Sequence, residues 1–134
     1  DITGRKLLMA EDNELNAEIA QTVLTDAGAC VTVVDNGQEA VDAFQKNPQG
    51  TFDAILMDVM MPVLDGIEAT KLIRGSDRED SDIPVFAMTA NTFASDRKRC
   101  QEAGMTGYIP KPVNIKDIEG TLAENTIGKN KQNS

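Results

Sequence analysis

The 134-residue chain predicts an α/β fold in which a parallel sheet is doubly wound, with helices on both faces. Five short aliphatic or β-branched runs alternate with segments of helical periodicity along nearly the whole length. The strand runs are apolar almost without interruption, the pattern of strands covered on both sides. Turn and cap residues separate the two textures, as at Asp35-Asn36-Gly37, Gly28 and Gly104.

Taken in order, the first strand is read at Lys6–Ala10. A helix follows with Leu15, Ile19, Ala20, Val23, Leu24 and Ala27 on one face, and Gly28 supplies a left-handed terminus. Cys30–Val34 is the second strand, and the second helix carries Ala40, Val41 and Phe44 inward. The third strand is predicted at Asp53–Met57, followed by a helix marked by Ile67, Leu72 and Ile73. Gly75–Asp82 reads as a charged, solvated connection. Pro84–Met88 is the fourth strand. A helix capped by Ser95-Asp96 then buries Cys100 and Ala103 and stops at Gly104. Gly107–Ile109 is the fifth strand, and Ile115, Ile118 and Leu122 mark a fifth helix. One domain over residues 5–124 and a polar tail over 125–134, expected to fray, account for the chain.

Composition narrows the chemistry. Thirteen basic against 22 acidic residues leave a net charge of −9, with no histidine, no tryptophan and two cysteines. Without histidine there is no Ser-His-Asp or Cys-His nucleophile, no His-ligated metal and no internal phosphohistidine. The negative charge opposes direct binding to a nucleic-acid backbone. No apolar stretch is long enough to span a membrane, and the start is not a signal peptide. The first residue is Asp rather than Met, which reads as a piece of a longer chain. Cys30 and Cys100 are expected as small core residues in a reduced, cytoplasmic setting.

Open parallel sheets bind ligands beyond the carboxyl ends of their strands, where the strand order reverses. The predicted strands end in Glu11-Asp12, Asp58, Thr89 and Lys111. Each alone has an ordinary explanation: Asp12 as a helix cap, Asp58 as a turn residue, Thr89 as a strand former, Lys111 as a solvated charge. Together they form an inventory. Clustered carboxylates repel unless a cation joins them, and oxygen ligands select Mg²⁺ or Mn²⁺. A lysine and a hydroxyl add partners for phosphate oxygens, as phosphoryl transfer onto a carboxylate requires.

The motifs Met9-Ala-Glu-Asp-Asn13, Leu56-Met-Asp-Val-Met-Met-Pro62 with Asp65-Gly66, Ala87-Met-Thr-Ala-Asn91 and Gly107-Tyr-Ile-Pro-Lys-Pro112 stand at these strand ends. In their order and spacing the sequence resembles the receiver (response regulator) domain of two-component signalling. The opening Glu11-Asp-Asn-Glu-Leu-Asn16 is most similar to receivers attached to hybrid sensor histidine kinases. The resemblance implies a flavodoxin-like (βα)5 fold with strand order 2-1-3-4-5. It implies Asp58 as phosphoacceptor and Mg²⁺ held by Asp12, Asp58 and the Met60 backbone carbonyl, with Glu11 acting through water. Lys111, Thr89 and the Ala90 N–H match the groups that contact the phosphoryl oxygens, and Thr89 with Tyr108 matches the switch pair. It further implies self-phosphorylation with slow autodephosphorylation, as a separate protein or within a histidine kinase chain, including the cytoplasmic part of a membrane-bound sensor. The implied partner is a histidine kinase or histidine phosphotransfer domain, with no direct contact to nucleic acid or membrane.

Other readings fit less well. Met57, Met60 and Met61 lack the Cys or His that would accompany a soft-metal site. A flavin nucleotide would meet Glu11-Asp12 where its phosphate needs a Ser/Thr/Gly loop. An aspartyl-phosphate-type phosphatase typically carries a second Asp two residues beyond its nucleophile, where this chain has Met60. A pseudo-receiver that binds without phosphorylation would not need Asp12, Asp58, Thr89 and Lys111 together.

Overall fold

A computed structural model describes residues 3–48, 51–59, 64–76, 81–89, 94–110 and 116. The chain runs β1 (Lys6–Ala10), α1 (Glu14–Asp26), β2 (Cys30–Val34), α2 (Gly37–Lys46), β3 (Ala54–Asp58), α3 (Gly66–Arg74), β4 (Val85–Thr89), α4 (Ala94–Ala103), β5 (Gly107–Pro110). The predicted fifth helix through Ile115, Ile118 and Leu122, and the 125–134 tail, lie outside the described residues.

The five strands form one sheet in the order β2-β1-β3-β4-β5, every neighbouring pair parallel. This is the expected doubly wound, flavodoxin-like arrangement. The order reverses between β1 and β3, which pair from Leu7↔Ala54 to Ala10↔Met57. Side chains alternate across the sheet, so each strand feeds two cores. Leu7, Met9, Leu56, Phe86 and Met88 pack with Ala20 and Leu24 of α1. Leu8, Ala10, Ile55, Met57, Val85 and Ala87 pack with Phe44 of α2, Ile67 and Ile73 of α3 and Cys100 of α4. Each fully buried large side chain contributes about 1.5–3 kcal/mol, more than a typical net hydrogen bond of about 1 kcal/mol, so the two apolar layers dominate stability.

Helices α1, α2 and α3 leave the carboxyl edge of the sheet on a side-chain cap. Asn13 Oδ1 accepts from the Asn16 N–H at 3.0 Å, Asn36 Oδ1 from Glu39 at 2.9 Å, and Asp65 Oδ1 from Glu68 at 2.9 Å. Gly28 and Gly104 follow α1 and α4 with φ of +99°, the left-handed stop the sequence called for.

Several expectations are corrected. β3 and β4 each begin and end one residue later than predicted, and Pro110 extends β5. Asp58 is therefore the last residue of β3 rather than the first beyond it. Helix α4 starts at Ala94, so Ser95-Asp96 sits inside its first turn instead of capping it. On α1, Ala17, Ala20 and Leu24 face the sheet, whereas Leu15 and Ile19 are 65% and 47% exposed. Both stripes are apolar, and the one that carries Ala20 and Leu24 packs on the sheet. Leu72 is likewise exposed, at 48%. Cys100 is buried as expected, but Cys30 is exposed, because β2 is an edge strand with no neighbour beyond it.

At the amino edge, Arg74 ends α3 and ties three segments together. Its Nε donates to the Gly104 carbonyl at 2.9 Å, and Nη1 donates to the carbonyls of Ser81 and Ile83, both at 2.7 Å. Burial lowers its pKa and the Asp82 charge opposes that shift, so the guanidinium stays charged. Arg74→Ala is expected to destabilise the fold by about 2–3 kcal/mol in urea unfolding, through three carbonyls losing a charged donor. Arg74→Lys is expected to recover less than half, because one ammonium cannot reproduce the planar fork.

Candidate functional site

The carboxyl edge gathers the acidic residues. The chain stays paired for one residue past β1, with the Glu11 N–H donating to the Val34 carbonyl at 3.1 Å. Asp12 follows, immediately before the Asn13 cap of α1. The β1–β3 register ends at Ala10↔Met57, so Glu11 and Asp58 are each the next residue of their chain segment. Glu11 is 2% exposed and Asp58 5%, whereas Asp12 is exposed. One carboxylate oxygen from each of Glu11, Asp12 and Asp58 lies within 4.8 Å of the other two.

Two full charges at that separation repel by roughly 3 kcal/mol at an effective dielectric of about 20. Three such oxygens, two of them on buried residues, make a site that a hard cation relieves. The donor set is oxygen only, which fits Mg²⁺ and gives a soft metal nothing to bind. The described geometry thus brings together the three carboxylates that the sequence placed at strand ends.

The remaining predicted residues are distributed as follows. Thr89 closes β4 and stands in register with Pro110 of β5. Tyr108 lies opposite Ala87, half-buried and packed against the core on the α2–α4 side. Met60, Ala90 and Lys111 lie outside the described residues.

Sequence reasoning missed the two glycines that hold the loop after Asp58. The Gly66 N–H donates to the Val59 carbonyl at 3.1 Å, and the Gly37 N–H donates to the Leu64 carbonyl at 3.0 Å. The available signal was their position. Each follows an Asx cap at the first residue of a helix, where alanine is the better helix former.

The model of the response regulator receiver domain matches residues 7–123. The chain is 36% identical to a hybrid signal transduction histidine kinase of Dictyostelium discoideum over 95% of its own length and 8% of that protein. It is 36% identical to the receiver domain of a sensor histidine kinase from Pseudomonas aeruginosa PAO1, solved with a magnesium ion in its active-site cleft. That match has a TM-score of 0.80 and covers 91% of this chain and 97% of that one. A third match is to a co-crystal structure from Saccharomyces cerevisiae of the histidine phosphotransfer protein Ypd1 and the receiver domain of the response regulator Ssk1. Identity is 31% and the TM-score 0.79, over 92% of this chain and 90% of that one. The chain spans about 15% or less of the curated kinases it matches. Among the described residues no helix is long and apolar enough to cross a membrane.

Titration with Mg²⁺ is expected to raise the thermal unfolding midpoint by several degrees, since a ligand at 100 times its dissociation constant adds about 2.7 kcal/mol. Asp58→Asn removes one of three like charges and is expected to raise the metal-free midpoint while abolishing most of the Mg²⁺ response. A metal-free Asp58→Asn protein less stable than the parent would show that repulsion is not the governing term.

Proposed function

The chain belongs to the response regulator receiver domain family, and from that premise we propose that Asp58 accepts a phosphoryl group from a phosphohistidine donor. The observation that carries the proposal is the buried Asp58 carboxylate held within 4.8 Å of Glu11 and Asp12 at the strand-order reversal. Residues 5–124 are taken as the functional unit and 125–134 as its tail, in a cytoplasmic setting. A phosphatase acting on separate substrates and an unphosphorylated interaction module are not favoured by the family match.

An Asp58 oxygen forms the new bond to phosphorus while the donor's P–N bond breaks. The bonding pair stays on the imidazole nitrogen, which takes a proton from solvent. Asp12, Asp58 and the Met60 carbonyl would hold Mg²⁺, with Glu11 acting through water. When bound, the cation supplies positive charge against the phosphoryl oxygens. Lys111 supplies a second positive charge, and the Thr89 hydroxyl and Ala90 N–H donate to the remaining oxygens. The product adds charge beside Asp58, draws Thr89 toward it and biases Tyr108 inward, a population shift of the β4–β5 side.

The donor must cover the carboxyl edge to reach Asp58. Leu15 and Ile19, one helical turn apart on α1 and close behind Asp12, give a helical histidine phosphotransfer partner an exposed apolar strip there.

Incubation with acetyl phosphate and Mg²⁺ is expected to add one phosphoryl mass to the parent chain and none to Asp58→Asn. Metal-independent labelling, or equal labelling of the variant, would overturn the reading. The double substitution Leu15→Ser, Ile19→Ser is expected to slow transfer from a phosphorylated histidine phosphotransfer protein at least about tenfold, the size of a lost apolar contact of about 1.4 kcal/mol. Labelling by acetyl phosphate should stay near the parent's rate. Equal slowing with both donors removes this strip from the interface.

A further inference from the structure

We propose that Gly66 is a positioning residue for Asp58: the absence of a side chain at the start of α3 fixes where the acceptor carboxylate stands. The inference rests on the function proposed above.

Backbone conformation does not require glycine here. The positive-φ glycines of the described chain are Gly4, Gly28 and Gly104, and Gly66 is not among them. Helix propensity disfavours it, since alanine is better by about 1 kcal/mol within a helix. Close approach is what remains. A β-carbon on Gly66 would collide with the carbonyl oxygen of Asp58. It would also stand 2.8 Å from Met57 Cγ and 3.0 Å from the Asp58 carbonyl carbon. These are the last two residues of β3, and the colliding group is main chain, which cannot swing aside as a flexible side chain can.

Gly66 is held from both sides. Its N–H donates to the Val59 carbonyl at 3.1 Å, closing the loop that follows Asp58. Its carbonyl accepts from the hydroxyl of Thr70, a fully buried residue, at 2.7 Å. α3 is itself seated by Ile67, Ala69 and Ile73, so it cannot draw back freely, and the strain of a side chain at residue 66 is shared with the end of β3. The displaced residue is the acceptor itself, whose oxygen lies within 4.8 Å of those of Glu11 and Asp12.

Gly37 provides the comparison. A β-carbon there would collide with the Leu64 carbonyl oxygen and stand 3.0 Å from the Asp65 carbonyl oxygen. The insult is as severe and the loop is the same, but it falls on Leu64 and Asp65 rather than on Asp58 itself.

The test compares the parent, Gly66→Ala, Gly37→Ala and Thr70→Val. Mg²⁺ binding is followed by calorimetry, acetyl phosphate labelling at saturating Mg²⁺ by mass, and folding by thermal melts. Both glycine variants are expected to melt lower. Gly66→Ala should lose at least about tenfold in Mg²⁺ affinity and in labelling rate, with Gly37→Ala losing clearly less in both. Thr70→Val adds no heavy atom and removes the bond that fixes the Gly66 carbonyl within α3, so a smaller loss of Mg²⁺ affinity is expected even where Gly66→Ala does not fold. Parent-like Mg²⁺ affinity in Gly66→Ala overturns the inference, as does an equal loss in Gly37→Ala. If Gly66→Ala does not fold, parent-like affinity in Thr70→Val does the same. A parent that binds Mg²⁺ but takes no phosphoryl group refutes the function and leaves the calorimetry to decide the role of Gly66. A parent that does not bind Mg²⁺ overturns both.

Discussion

Three like charges must stay close together where two of them scarcely see water, and much of the molecule serves that constraint. Glu11 follows directly from β1 and Asp58 ends β3, the adjacent strands at the reversal of the sheet. Repulsion of a few kcal/mol per pair would part them if either strand could slide. Sliding by one residue, however, would turn Leu7, Met9 and Leu56 to the opposite layer, together with Leu8, Ile55 and Met57. Two cores, each made of several buried side chains, oppose that slip far more strongly than the carboxylates favour it.

The two edges of the sheet divide this labour. At the amino edge, one guanidinium satisfies the carbonyls of Ser81, Ile83 and Gly104 and joins α3 to the entries of β4 and β5. At the carboxyl edge the described cluster is all acidic. A positive charge is thus spent on neutral carbonyls where stability is needed, and negative charge is left concentrated where the proposed function places a cation and a phosphoryl group. The acidic edge is the less stable arrangement without its ligand, and that is what makes ligand binding there consequential for the whole fold.

Much of this was legible in the sequence because it rests on local rules. Buried strands read as unbroken aliphatic runs, Asp35-Asn36-Gly37 as the turn before a helix, and Gly28 and Gly104 as stops. The acidic cluster was legible because strand ends in a parallel sheet share an edge, so Glu11, Asp12 and Asp58 could be placed together before any coordinates. What escaped depends on distances between elements. Leu15 and Ile19 look as suitable for the core as Ala17 and Ala20, and only the packing of α1 on the sheet tells the two stripes apart. Cys30 looks like a core thiol until β2 is known to be an edge. Arg74 sits in a helix-ending pattern that says nothing of carbonyls thirty residues away. Gly66 looks like a turn residue, and the carbonyl pressed against it belongs to another element.

A switch needs a part that holds still as well as a part that responds. On the β1–β3 side the acceptor is fixed by a buried strand, by the main-chain contact at Gly66 and by the bond that closes the following loop on Val59. On the other side Thr89 ends β4 and Tyr108 lies one strand away, half-buried where its neighbour Ile109 is fully covered. A group attached to Asp58 therefore finds its own attachment point braced, beside the end of β4. Charge added at a braced point cannot be relieved by moving that point. On the proposed function, the free energy of the new contacts goes instead into rearranging what faces it, and the strand paired beside Asp58 is β4.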